Sequence, residues 1–186
     1  DVRLVVLPPP YMVESLASGH VDGFCVGAPW NSVAVDSDVG RILHFGCDIM
    51  AHVSEKVLAV RERWAKENAE TLSALVRALA RGGKFSDDRN NHPAVAEIVA
   101  RRIGVVPELV VRTLGGNLKT APEDAIRSSD RYIVIGREGA CRPDPIQAAW
   151  AYAQIVRWAQ APLSEDLRAA AEKVFPIFAT TTGFTA

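Results

Sequence analysis

The sequence lacks an excess of charge of either sign. Its 186 residues include 21 lysines and arginines against 22 aspartates and glutamates, for a formal net charge of −1, and no basic run is longer than two residues. A surface that binds nucleic acid needs a basic patch or stripe that attracts phosphates. This charge balance therefore argues against a nucleic-acid partner.

Motifs for metal, phosphate or nucleophilic chemistry are also missing. The three cysteines, Cys25, Cys47 and Cys141, and the four histidines do not have the short spacings typical of a metal site. We find no phosphate-binding loop, no nucleophile elbow and no carboxylate pair. We therefore expect a protein that needs no cofactor and is not an enzyme. Its thiols should be free, which favours a reducing compartment.

The given residues contain no stretch with the pattern of a leader peptide and no apolar stretch long enough to cross a membrane, and we expect any export signal to lie upstream of Asp1. What it does contain is an ordinary globular composition, with 48% apolar and 23% charged residues. A chain of this length can bury a sizeable core as a single domain.

The first 26 residues have the pattern of a βαβ unit. The apolar run 2–7 predicts a buried strand, three prolines end it, and a helix should follow from about Pro10 to a cap at Gly19. The run 21–26, with Cys25 as a small buried residue, predicts a second strand parallel to the first. Ligands of open α/β sheets bind at the carboxyl ends of such strands.

The rest of the chain is predicted to be mainly helical. An apolar stripe from Leu72 to Leu79 predicts a long helix with Asn68 as its N-cap and a stop at Gly82-Gly83. The remaining predictions are a strand at 55–60, a polar loop at 86–91, and helices at about 93–102, 107–115, after Pro122, from Pro145, and at 164–175.

The second predicted strand leads into a turn of unusual composition. Residues 22–31 read Asp-Gly-Phe-Cys-Val-Gly-Ala-Pro-Trp-Asn. Gly27 permits close approach of the backbone to another molecule, and Pro29 stiffens the bend. A plain surface turn would more often use Asn, Asp or Ser than Trp. Two interpretations fit this composition, a turn that faces a ligand and a buried turn that packs Trp30.

Four segments resemble, in the same order, the nitrate- and bicarbonate-type solute-binding proteins of bacterial ABC transporters, a family that also includes cytosolic nitrate sensors. They are Leu-Pro-Pro-Pro-Tyr-Met (7–12), Gly-His-Val-Asp-Gly-Phe-Cys-Val-Gly-Ala-Pro-Trp-Asn (19–31), Ser-Glu-Lys-Val-Leu-Ala-Val (54–60) and Trp-Ala-Tyr-Ala-Gln-Ile-Val-Arg-Trp-Ala-Gln (150–160). Together they span nearly the whole chain. One departure is Ala28, where many relatives have an acidic residue.

This resemblance implies an α/β protein, the C-terminal half of a two-lobed periplasmic-binding-protein (type II) fold. Residues 1–30 would form the βαβ unit that leads into the hinge and ligand turn, and residues 31–186 the mainly helical remainder of the lobe. Family members are considerably longer, so we expect the chain to be a fragment of a longer protein. Its exposed half-interface would be apolar and would favour a homodimer.

The function implied by the resemblance is binding of nitrate, nitrite or bicarbonate for an ABC-type uptake system in the periplasm, as part of nitrogen assimilation. Two lobes would close on the anion without turnover, and the membrane subunits of the transporter would recognise the closed form. Two alternatives stay open. One is a cytosolic nitrate sensor that regulates a partner protein, and the other is an enzyme on this scaffold, such as the pyrimidine-precursor proteins of thiamine synthesis.

The family's motifs place the ligand residues at Gly27 and Lys56, with Trp30 as an apolar wall or a packing residue. In the family, this lysine lies at the mouth of the cleft and pairs with the oxyanion, while the glycine backbone lines the cleft. An ammonium suits a small monovalent anion, and a backbone N–H can donate to its oxygens. A lysine here favours nitrate or nitrite over bicarbonate.

The residues alone also allow plainer interpretations of this region. A lysine in a strand is usually a solvated surface residue, and Asn31 is more often a helix cap than a ligand contact. Glu55 should point to the side of the strand opposite Lys56 and have a structural role.

Overall fold

Helices dominate the regular structure in a computed structural model, which describes residues 2–123 and 125–175. In chain order the helices are α1 (Met12–Ala17), α2 (Trp30–Asp36), α3 (Gly46–Ile49), α4 (Glu62–Glu67), α5 (Ala69–Asp87), α6 (His92–Ile103), α7 (Pro107–Gly115), α8 (Pro145–Arg157) and α9 (Glu165–Val174). Two short strands, β1 (Asn117–Lys119) and β2 (Ile126–Ser128), and three 3₁₀ turns, Pro9–Tyr11, Arg89–Asn91 and Arg137–Gly139, complete the set.

The chain divides into two compact units. Unit 1 comprises residues 1–52 and 86–134, and unit 2 comprises residues 53–85 and 135–186. Across the described part of both units, no helix combines the length and the apolar character needed to cross a bilayer.

The core of unit 1 lies between α6 and α7. Ala96 and Ala100, one turn apart on α6, are buried against Val110 of α7, and larger apolar side chains surround them. Both helices end at a glycine in the left-handed conformation, Gly104 and Gly116. The predictions for these two helices are confirmed, because proline near the start and glycine at the end are local signals that tertiary packing did not override.

A short antiparallel hairpin follows α7 in unit 1. Strand β1 pairs with β2 so that Leu118 lies opposite Arg127, and Leu118 is fully buried. The Thr120 carbonyl also accepts a hydrogen bond from the Ile42 backbone N–H at 2.8 Å. The helix predicted after Pro122 is therefore wrong, since the chain there turns back to form β2 instead.

The two strands of the predicted βαβ unit do not form. Runs 2–7 and 21–26 have no strand partner among the described residues, and Cys25 is exposed rather than buried. Val2, Leu4 and Val6 are 89%, 90% and 100% exposed. A strand exists only where a neighbouring strand pairs its N–H and C=O groups. An apolar run indicates a preference for burial but does not supply that neighbour.

The helix between these two runs is confirmed. Helix α1 begins at Met12 and ends at Ala17, and Gly19, in the left-handed conformation, follows its end. The strand predicted at 55–60 is wrong for the same reason as the other two, because this segment is exposed and unpaired within the described chain.

The long helix of unit 2 was predicted correctly in kind but not in extent. Helix α5 continues through Gly82 and Gly83 and ends at Asp87. Its last two residues, Ser86 and Asp87, therefore lie where the sequence predicted a loop. Glycine weakens a helix, but Gly83 is buried against Gly136, where two backbones meet too closely for a side chain. The side chain of Asn68 donates to the Trp64 carbonyl at 3.0 Å instead of capping α5.

Helices α8 and α9 confirm their predicted starts. Asp144 caps α8 by accepting a hydrogen bond from the Ile146 N–H at 2.9 Å, and Ser164 caps α9. Between them, the Tyr152 hydroxyl donates to the Pro162 carbonyl at 2.6 Å and accepts from the Ser164 N–H at 2.9 Å. The tail from Thr180 lies outside the described residues.

Replacement of Gly136 by alanine should destabilise the protein. A Cβ atom at this position would lie 2.2 Å from the Gly83 carbonyl carbon and 2.3 Å from the Lys84 nitrogen, both backbone atoms. We expect Gly136→Ala to lower the free energy of unfolding by about 2 kcal/mol or more, as for an overpacked core. In the control Gly82→Ala, a Cβ meets nothing within 4 Å, and helix propensity should raise stability by about 0.5–1 kcal/mol. Urea unfolding of the full-length gene product measures both, and equal effects would contradict the prediction.

A second glycine pair separates backbone strain from crowding. Gly104 and Gly116 both have positive φ, +76° and +68°, but only at Gly116 would a Cβ collide, 1.9 Å from the Ser129 carbonyl oxygen. Alanine at either position costs about 1–2 kcal/mol for the left-handed backbone. We expect Gly116→Ala to cost about 1–3 kcal/mol more than Gly104→Ala. The difference between the two midpoints of urea unfolding tests this, and no difference would refute the crowding at Gly116.

Candidate functional site

The turn at residues 27–31 connects an extended segment to helix α2. Pro29 is buried immediately before the helix, and its carbonyl accepts a hydrogen bond from the Val33 N–H at 3.1 Å. The Ala28–Pro29 peptide bond is cis. Gly27 and Trp30 are half-buried, with Trp30 at the first position of α2. Gly27 and Trp30 are thus held in one short segment at the start of a helix.

Asn31 fixes the start of α2 to a distant part of unit 1. Its Nδ2 donates to the Tyr132 hydroxyl at 2.7 Å, across a sequence separation of 101 residues, and its Oδ1 accepts from the Ser32 N–H at 3.0 Å. These two contacts define which end of the amide is the donor. The sequence predicted a cap at Asn31, whereas the side chain bridges α2 to Tyr132.

An aromatic pair supports this bridge. The rings of Tyr132 and Phe45 meet edge to face, with centroids 4.8 Å apart and planes at 70°. Phe45 is 1% exposed, and the guanidinium carbon of Arg127 lies 4.3 Å from its ring centroid. Edge-to-face and cation–π contacts both match the charge distribution of the aromatic ring. Tyr132 therefore rests on a fully buried ring.

Asp48 locks Arg127 in place over that ring. Two nitrogens of Arg127 donate to the two carboxylate oxygens of Asp48 at 2.7 Å and 2.5 Å, and the Phe45 N–H donates to the same carboxylate at 2.8 Å. These donors, the Arg127 guanidinium first and the Phe45 N–H second, lower the pKa of Asp48 to about 2. The carboxylate stays ionised over the whole range in which the protein is expected to function.

Lys56 belongs to unit 2 and lies on an exposed segment. Its side chain is 79% exposed, and its Nζ donates to Glu55 Oε1 at 2.6 Å. Glu55 and Lys56 were predicted to point to opposite sides of a strand, but the segment is unpaired within the described chain and the two side chains form an ion pair. Apart from this ion pair, the ammonium is open to solvent.

The structure brings some of the predicted site residues together. Gly27 and Trp30 share one turn in unit 1, and Lys56 falls in unit 2. The residues that the sequence reading missed are Asn31's partner Tyr132 and the supporting Phe45, Arg127 and Asp48. Apart from the local hydrogen bond between the Phe45 N–H and Asp48, contacts between distant segments connect them, and no local pattern marks such contacts. In the described residues, no cluster of three or more histidine, cysteine or carboxylate side chains is arranged to hold a metal ion.

Comparison with known proteins gives a consistent set of relatives. Residues 1–100 match the model of the NMT1-like family. The chain is 32% identical over 165 residues to the nitrate import ATP-binding protein NrtC of Synechocystis sp., covering 85% of this chain and 24% of that protein. It is 30% identical over 176 residues to the nitrate/nitrite binding protein NrtA of Synechococcus elongatus, covering 94% of this chain and 40% of that protein.

The fold is shared with a solved structure, the periplasmic nitrate-binding protein NrtA from Synechocystis PCC 6803. The TM-score is 0.85 at 23% identity, over 91% of this chain and 45% of that one. The chain thus has a partial periplasmic-binding fold, which confirms the predicted fold class apart from the unpaired strands. It spans less than half the length of each of these three proteins.

The Asp48–Arg127 pair should make the stability of the fold depend on pH in the acid range. A carboxylate whose pKa falls on folding, here from 3.8 to about 2, stabilises the fold above pH 3.8, and this stabilisation is lost as pH falls through 2. We expect Asp48→Asn to lower the midpoint of urea unfolding at pH 7 and to have little effect near pH 2. Arg127→Gln should show the same pH-dependent loss together with a pH-independent loss of the contact with Phe45. A deficit of equal size at both pH values in Asp48→Asn would show that the carboxylate charge does not matter.

Proposed function

Because the chain belongs to the NMT1-like family, we propose that it forms part of a solute-binding protein for nitrate or a similar small oxyanion in an ABC-type uptake system. The observation that carries the proposal is the fold shared with a periplasmic nitrate-binding protein over 91% of this chain. The named relatives from nitrate import point the same way. None of these relatives is named as a sensor, so the sensor alternative gains no support.

The proposed ligand groups are the Gly27 backbone, the Lys56 ammonium and the Trp30 ring. A small anion is costly to desolvate, so its site must replace water with fixed donors. A glycine N–H in a rigid turn is such a donor, and a half-buried indole can exclude water beside it. An ammonium has three N–H donors, of which Glu55 takes one, so Lys56 retains the capacity to bind an anion.

Exposure explains why Lys56 needs a closed state to act. In water, an exposed ion pair contributes little because solvent screens it. Closure of a binding protein around the anion would remove that water and strengthen the contact between ammonium and anion. The remaining donors would come from parts of the longer protein outside this chain. As part of the same proposal, the turn at 27–31 lies at the hinge on which the lobes close.

We assign this protein no catalytic step. The proposed partners are the anion itself and the membrane subunits of the transporter, with the periplasm as the proposed location. Binding energy used only to hold a ligand requires no nucleophile or general base. The preference proposed with Lys56, nitrate or nitrite over bicarbonate, rests on the family resemblance, because a single positive charge attracts all three monovalent anions.

The decisive test is calorimetric titration of nitrate, nitrite and bicarbonate into the full-length gene product, with and without Lys56→Ala. Loss of a hydrogen bond to a charged group costs about 1.5–3 kcal/mol, so nitrate should bind roughly 10–100-fold more weakly to the variant. Lys66→Ala is the matched control, because Lys66 is also an exposed lysine paired with a glutamate, Glu62, at 2.5 Å. Its affinity should equal that of the parent.

Each outcome of this titration has a distinct meaning. Tight nitrate binding that Lys56→Ala leaves unchanged would remove Lys56 from the site but not the nitrate function. Equal losses in the Lys56 and Lys66 variants would indicate a general charge effect. The absence of binding for all three anions would refute the proposed function.

A further inference from the structure

We infer that Tyr132 is a positioning residue for the anion-binding turn and acts through Asn31. This inference rests on the proposed function, because it assigns a role in holding Gly27 and Trp30. Asn31 directly follows Trp30, and its amide nitrogen donates to the Tyr132 hydroxyl at 2.7 Å. Tyr132 itself is not proposed to touch the anion.

The amide of Asn31 is restrained at both ends. Its oxygen accepts from the Ser32 N–H in the first turn of α2, and its nitrogen reaches Tyr132. A side chain with both groups satisfied cannot rotate without breaking a hydrogen bond, and the part-buried setting makes that loss costly. The bond therefore couples the backbone at the start of α2 to the position of a distant phenol.

The phenol ring itself packs against a buried residue. The Tyr132 ring lies edge-on against Phe45, which is fully buried, and Arg127 closes over Phe45 while paired with Asp48. The backbone preceding Tyr132 is also fixed, since the Ser129 N–H donates to the Gly116 carbonyl at 2.8 Å. Tyr132 is thus held in place, and through Asn31 it restrains the position of the turn at 27–31.

The functional consequence is a population effect. A site whose binding-competent conformer is only a fraction of the ensemble has an apparent affinity reduced by that fraction. Loss of one neutral hydrogen bond is worth about 0.5–1.5 kcal/mol, so release of Asn31 should weaken nitrate binding roughly threefold to tenfold. The effect is expected in affinity, at temperatures where every variant is fully folded.

The experiment is a double-mutant cycle on nitrate affinity in the full-length gene product, with Tyr132→Phe, Asn31→Ala and both together. Tyr132→Phe keeps the ring on Phe45 and removes only the hydroxyl. If the pair acts as a unit, each single variant binds nitrate threefold to tenfold more weakly, and the double variant binds no more weakly than the weaker single variant. Amide hydrogen exchange of residues 27–33 should speed up in the same variants.

Tyr152→Phe is the control for loss of a tyrosine hydroxyl. The Tyr152 hydroxyl also makes close hydrogen bonds, to Pro162 and Ser164 in unit 2, so this variant should lower the unfolding midpoint without changing nitrate affinity. Parent-like nitrate binding in Tyr132→Phe, or losses that simply multiply in the double variant, would overturn the inference. A parent protein that binds no nitrate would refute the proposed function instead. The exchange of residues 27–33 would then decide alone whether Tyr132 positions the turn.

Discussion

The burial of Phe45 is the constraint on which the candidate site in unit 1 depends. Its ring contacts both Tyr132 and the Arg127 guanidinium, and its backbone N–H helps to hold the Asp48 carboxylate. Full burial of such a side chain stabilises a fold by about 1.5–3 kcal/mol, and an aromatic pair adds about 0.5–1.5 kcal/mol. Segments that are far apart in the chain therefore meet at one apolar residue, and the polar contacts are arranged around it.

Much of the helical structure follows from local signals in the sequence. The proline at 107 and the glycine at 116 bracket α7, and Asp144 with Pro145 begins α8, because caps and fixed φ angles act within a few residues. The turn at 27–31 was also identified locally, from a glycine, a proline and a tryptophan in close succession. The resemblance then supplied the fold class, which the solved structure of a relative confirms.

Most of the features that the sequence did not reveal depend on a second segment. An apolar run such as 2–7 looks like a strand whether or not a neighbour pairs with it. Gly83 looks like a helix stop until Gly136 is seen to lie against it, and Asn31 looks like a cap until Tyr132 is found at its amide. The roles of Gly27, Trp30 and Lys56 remain predictions, since they depend on an anion and on further donors.

The exposed run at 2–7 has a consequence for how the protein must be made. It combines β-branched and leucine side chains with one charge, Arg3, and its backbone has no strand partner among the described residues. Short segments of this kind are templates for cross-β aggregation, and the prolines that follow at 8–10 limit its length. Such a run favours association with another copy for as long as it stays uncovered, so covering it early in folding protects the chain from aggregation.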